Sequence, residues 1–79
     1  SADEKLLAAL RAKRLEIARK ASLPAYIVFT DRTLAEMALQ RPGSLAAMAK
    51  VRGVGEQKLS RYGVQFLSVI LGSDETEAA

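Results

Sequence analysis

Only one stretch of this chain, Ile27-Val28-Phe29, has the composition of a β-strand, and no second stretch of that kind is there to pair with it. A lone strand leaves a row of backbone N–H and C=O groups without partners and is not stable in water. The chain must therefore satisfy its backbone inside helices. The other apolar residues agree, recurring at three- and four-residue spacings in segments divided by Leu23-Pro24, Arg41-Pro42-Gly43 and Gly53-Val54-Gly55. The fold class these patterns predict is all-α: four main helices with short loops, and an irregular or 3₁₀ turn where the strand-like run sits.

Residues 3–21 read as the first helix. Leu7, Leu10, Ile17, Ala18 and Ala21 share a stripe, and Arg14 falls on it, so its stem is expected to be half buried. Asp3 and Glu4 suit the positive end of this helix, Arg19 and Lys20 the negative end. Pro24 stops it. Ile27, Val28 and Phe29 are expected to point inward from the turn that follows. Thr30, Asp31 and Thr33 are each possible N-caps of the next helix, and Thr33 with Glu36 has capping-box spacing. That helix carries Leu34, Met37 and Ala38 inward and ends near Gln40. Ser44 caps another, with Leu45, Met48 and Val51 inward. The last runs from about Glu56 to Leu71, with Leu59, Tyr62, Phe66, Val69 and Ile70 in period and Gly72 as its stop. One domain is expected over residues 4–72, followed by a loose acidic tail at 73–79.

Seventy-nine residues are enough for one core and no more. The chain has no Cys and no His, which removes disulfides, thiolate nucleophiles, zinc ribbons and the usual general base. Between residues 5 and 72 the only acids are Glu16, Asp31, Glu36 and Glu56, scattered over separate segments with no two spaced to converge on a metal. No phosphate-binding glycine loop of the nucleotide-hydrolase kind is present. A chain without catalytic residues, metal, cofactor or small-molecule ligand is expected. No apolar run approaches the roughly 18 residues a membrane span needs, and the first residues are not a signal peptide. A cytoplasmic, monomeric module is the expectation.

Charge is informative through its distribution. All twelve Lys and Arg lie between Lys5 and Arg61, so residues 5–72, with four acids, carry a net +8. Such a body attracts polyanions, although the same charges would also serve as a solvated helix face. Three features sharpen the first reading. Tyr26 follows Pro24-Ala25 directly after Arg19-Lys20, the arrangement in which a ring stacks on a base while cations take the phosphates. The first helix carries Lys5, Arg11, Lys13, Arg14, Arg19 and Lys20, with Lys13 and Lys20 on one face. Gly53-Val54-Gly55, between Arg52 and Lys58, exposes backbone N–H groups at a helix start, where anions bind, and resembles a helix-hairpin-helix. Tyr62, on the apolar stripe of the last helix, reads as a core residue.

Taken together, these pieces resemble the HRDC domain, the helicase-and-RNase-D C-terminal module of RecQ-family DNA helicases and RNase D. The resemblance covers about residues 4–71. It is carried by Leu10, Arg14 and Ala18, then Pro24-Ala25-Tyr26-Ile27-Val28-Phe29, then Asp31, Thr33, Leu34 and Met37, then Arg41-Pro42 and Ser44-Leu45. Val51-Arg52-Gly53-Val54-Gly55, Lys58-Leu59, Arg61-Tyr62-Gly63 and Phe66 complete it. The bacterial RecQ branch is the most similar. The resemblance implies a bundle of about five helices, counting the turn around Tyr26, and an auxiliary rather than catalytic module. It implies that Tyr26, with Arg19, Lys20, Lys13 and Arg32, contributes to binding single-stranded or partly single-stranded DNA. Gly53, Gly55, Lys58 and Arg52 follow as weaker phosphate candidates. The alternatives it leaves are a regulatory module docking on other domains of a parent helicase, and an RNA-holding module of an RNase D.

Overall fold

The computed structural model describes residues 2–78, and the side-chain surroundings of residues 3–72. All secondary structure among the described residues is helical: α1 (Ala2–Ala21), α2 (Ala25–Val28), α3 (Asp31–Gln40), α4 (Leu45–Met48) and α5 (Glu56–Ala78). The two long helices, α1 and α5, pack on each other; α3 and α2 lie against α1, and α4 lies against α5. Five helices with no strand is the architecture expected, with one refinement. The segment after Pro24 is a single α-helical turn, not a 3₁₀ turn, although the Ile27 N–H still bonds three residues back to the Pro24 carbonyl at 3.0 Å.

Each helix end has a local cause. Ser22 takes a left-handed conformation (φ 55°), so that its N–H reaches the Arg19 carbonyl at 3.3 Å and the Leu23 N–H the Ala18 carbonyl at 2.9 Å. This pair of bonds closes the last turn of α1 before Pro24. Of the three possible caps for α3, Thr30 is the one used: its hydroxyl accepts the Thr33 N–H at 3.2 Å. The Thr33–Glu36 capping box does not form, because Thr33 is already inside the helix and buried, and Glu36 bonds Gln40 instead at 2.7 Å. Arg41, at φ 47°, ends α3, and the Ser44 hydroxyl caps α4 by accepting the Ala47 N–H at 3.0 Å.

The core joins Leu6, Leu10 and Ala18 of α1, Val28 and Phe29, Leu34, Met37 and Ala38 of α3, Met48, Val51, Val54, and Phe66 and Ile70 of α5. Phe29 sits at its centre, with its ring edge-on to Phe66 (centroids 5.0 Å apart) and to Tyr62 (6.0 Å). Pairs of this geometry contribute about 0.5–1.5 kcal/mol each beyond the area they bury. Tyr62 packs against the core as expected.

Four expectations are corrected. Ile27 is not inward but 42% exposed, because a helical turn rotates successive residues by about 100° and Val28 takes the inward direction. Leu45 is 39% exposed: it lies over Gly63 of α5, where an added Cβ would come within 3.1 Å of it, and its other side faces solvent. Ala21 is exposed at the end of α1, while Leu6, outside the expected stripe, is fully buried. Gly72 does not stop α5, since it lacks the positive φ of a glycine cap and a glycine inside a helix costs only about 1 kcal/mol. The backbone of residues 73–78, expected as a loose acidic tail, continues α5 as helix; residue 79 and the side-chain surroundings of 73–79 lie outside the described residues.

Gly53 is the glycine the fold requires. Its φ is +92°, and a Cβ there would collide with the Thr33 hydroxyl on α3. Gly53→Ala is expected to cost at least about 1–2 kcal/mol from the backbone conformation alone. Gly43→Ala, with ordinary φ and open space around it, should stay within about 0.5 kcal/mol of wild type. Urea denaturation of both variants measures the difference.

Candidate nucleic-acid interface

The turn bearing Tyr26 is four residues long, too short to hold a helical shape by itself. It is fixed from outside. Phe29, just past its end, has an extended backbone (φ −151°, ψ 147°), which sends the ring into the core and leaves the carbonyl outside any helical ladder. The Arg14 guanidinium of α1 donates to that carbonyl at 3.0 Å and pairs with the Asp31 carboxylate, in the first turn of α3, at 2.8 Å. Arg14 is only 13% exposed, so the expected half-buried stem is confirmed and its head ties α1 to the α2–α3 corner.

With Val28 and Phe29 turned inward, Tyr26 turns outward and is 64% exposed. Ile27 and Leu23 stand exposed beside it in the chain. Arg19 and Lys20, exposed in the last turn of α1, are joined to this turn by four residues, Ala21 to Pro24. Lys13 lies about two turns back along α1, roughly 10 Å from Lys20 along the axis. Arg32 is exposed in the first turn of α3, next to Asp31 and hence at the Arg14 corner. Tyr26, Arg19, Lys20, Lys13 and Arg32 thus belong to elements that meet at the C-terminal half of α1.

The charges on this face are not all free. Glu16 binds Lys13 through one carboxylate oxygen at 3.0 Å and Lys20 through the other at 3.4 Å. Those two lysines hold the Glu16 carboxyl below its ordinary value, by hydrogen bonding first and by charge second. Asp31 is likewise held down, chiefly by its hydrogen bond from Arg14 and then by that residue's charge. The i,i+3 and i,i+4 spacings of Glu16 with the lysines were present in the sequence; the Arg14–Asp31 link, 17 residues apart, left no local signal.

The Gly53-Val54-Gly55 turn is built differently. Val54 is buried, its N–H bonding the Val51 carbonyl at 3.0 Å, and Gly53 presses on Thr33. Residues 53–58 line an open depression of about 600 Å³ at the start of α5. Glu56 lines it too, and an acid there opposes an anion. Lys58 is half buried with its ammonium 5.8 Å from the Phe29 ring centroid, so it serves the core as a cation over an aromatic face. Arg52 and Gly55 are exposed. Among the described residues no group of three His, Cys, Asp or Glu is placed to hold a metal, and no helix is long and apolar enough to cross a membrane.

The comparisons with known proteins point one way. The profile of the HRDC domain family matches residues 3–70. The chain is 47% identical over 68 residues to the ATP-dependent DNA helicase RecQ of Haemophilus influenzae, covering 86% of this chain and 11% of that protein. It is 41% identical over 70 residues to the ATP-dependent DNA helicase UvrD2 of Mycobacterium tuberculosis, covering 89% of this chain and 10% of that one. It therefore spans about a tenth of the length of these relatives. Among solved structures, the D. radiodurans RecQ HRDC domain 3 superposes with a TM-score of 0.85 at 37% identity, covering 89% of this chain and 92% of that one.

The Asp31 shift carries a pH dependence with a definite sign. Its folded-state pKa lies below the ordinary 3.8, so the pairing with Arg14 stabilises fully above 3.8 and is lost as pH falls through the lowered value. Asp31→Asn is expected to lower the Tm at neutral pH, with the gap to wild type closing below pH 3.8. Thermal melts across an acid pH series check it.

Proposed function

The chain belongs to the HRDC family, and on that premise we propose that it is the auxiliary nucleic-acid-binding module of a RecQ-like DNA helicase. An HRDC domain is an accessory, non-catalytic part of ATP-dependent DNA helicases such as RecQ and UvrD2. For this chain the proposed ligand is single-stranded or partly single-stranded DNA. Work of that kind, supporting repair, recombination and replication, belongs in the cytoplasm and needs no cofactor in this domain.

The observation that carries the reading is the exposed ring of Tyr26 on a turn held rigid at the end of a basic helix. Its exposed position favours stacking on an unpaired base, which is available only where DNA is single-stranded or splayed. Arg19, Lys20, Lys13 and Arg32 supply phosphate contacts, and the +8 body supplies longer-range attraction that salt screens. The exposed Leu23 and Ile27 add apolar surface beside the ring.

In a fluorescence-anisotropy titration, labelled single-stranded DNA is expected to bind saturably and more weakly as salt rises. Tyr26→Ala should lower that affinity about 5- to 150-fold, the equivalent of losing about 1–3 kcal/mol of stacking. Because Tyr26 touches solvent more than core, the Tm should hardly move. Absence of binding at low salt would reassign the face to docking on other domains of the parent chain. Preference for an RNA oligonucleotide would point to an RNase D parent.

A further inference from the structure

One residue on the basic half of α1 carries the wrong sign for a DNA surface. Beyond the first turn, Glu16 is the sole acid of α1. Lys13, Glu16 and Lys20 lie on one stripe of the helix, with side-chain exposures of 28, 48 and 77%. The carboxylate sits between the lysines and engages both, at 3.0 and 3.4 Å. Pairs this exposed add little to stability, so the fold has small need of them.

Asp31 is the useful contrast. Its partner Arg14 is 13% exposed and already holds the Phe29 carbonyl, so that ion pair belongs to the fold and takes no cation from the surface. Glu16, by comparison, occupies the ammonium groups of two lysines that a phosphate would also use. A phosphate reaching them must share each ammonium with the carboxylate or displace it, and either way that negative charge remains within a Debye length of the incoming strand, about 10 Å at 0.1 M salt.

We propose that Glu16 is an internal competitor for DNA phosphate. It neutralises Lys13 and Lys20 in the free protein, and so sets the domain's DNA affinity and its response to salt. The lysines themselves hold the Glu16 carboxyl below its ordinary pKa, which keeps it ionised and competing at neutral pH. This inference rests on the assignment of the α1–α2 face as the DNA surface, and the test separates the two.

The probe is a fluorescein-labelled oligothymidylate, titrated by anisotropy at about 50 and about 200 mM salt, a range over which phosphate contacts weaken measurably. Glu16→Gln is expected to raise affinity about 3- to 10-fold at the lower salt, the fold-change equivalent of two exposed ion pairs. The salt slope should steepen by up to about 1.4, since each added single-strand phosphate contact contributes about 0.7. Glu36→Gln is the control: Glu36 lies on α3 bonded to Gln40, so the change removes the same charge without releasing a lysine. It should alter affinity less than about twofold. Adding Lys13→Met and Lys20→Met to Glu16→Gln should abolish the gain, and the Tm of each variant reports any purely structural effect.

Equal effects of Glu16→Gln and Glu36→Gln would overturn the proposal. So would an unchanged affinity and slope in Glu16→Gln while wild type binds through Tyr26, a result that leaves the DNA-binding function standing. Tighter binding by Glu16→Gln with no effect of Tyr26→Ala would support the competitor and remove the stacking. Binding by Glu16→Gln where wild type shows none would also support it, and no binding by either protein at low salt would overturn both.

Discussion

Phe29 is the joint on which this small bundle turns. Its ring is fully buried against Phe66 and Tyr62 of α5, with the Lys58 ammonium over its face, while its carbonyl points the other way to the Arg14 guanidinium of α1. One residue therefore couples both long helices to the corner between α2 and α3. The coupling depends on an extended backbone at a single position, which separates ring from carbonyl. A helical conformation there would turn the carbonyl into the ladder and remove the acceptor that Arg14 uses.

That joint has a functional consequence. A one-turn helix has no stability of its own, so the direction of Tyr26 is set by what anchors the turn rather than by the turn itself. With Val28 and Phe29 held inward and Ser22 closing the end of α1, the ring is presented to solvent on a rigid mount. For the proposed stacking on a base, a ring fixed before contact would lose less conformational freedom. The same anchoring consumes a cation: Arg14 belongs to the architecture, while Arg19 and Arg32 stand exposed at this end and Lys13 and Lys20 share Glu16.

The net charge of the body overstates what is available to a ligand at close range. Long-range attraction follows the sum, +8 over residues 5–72, whereas contact depends on which ammonium and guanidinium groups are unengaged. Glu16 shares Lys13 and Lys20, Asp31 takes Arg14, Asp3 lies 3.8 Å from Arg41, and Lys58 leans on Phe29. A strongly basic sequence thus yields a moderately basic local surface, suited to weak and salt-sensitive contact.

Helix class, the breaks at Pro24, Pro42 and Gly53, the cap at Ser44 and the exposure of Tyr26 were all readable in the amino-acid sequence, because each depends on residues within one or two turns of one another, whereas the sequence left Thr30, Asp31 and Thr33 as open caps of α3 and the structure selected Thr30. The family was readable too, from the order and spacing of short pieces along the whole chain. Only the tertiary structure decided that Arg14 meets Phe29 and Asp31, that Gly53 presses on Thr33, that Lys58 covers a core ring and that Leu45 lies over Gly63. These contacts join residues 15 to 29 positions apart. Periodicity says which face of a helix turns inward, but not which partner waits there: that is settled by how the helices cross, and the crossing is fixed only once the whole core has closed around Phe29.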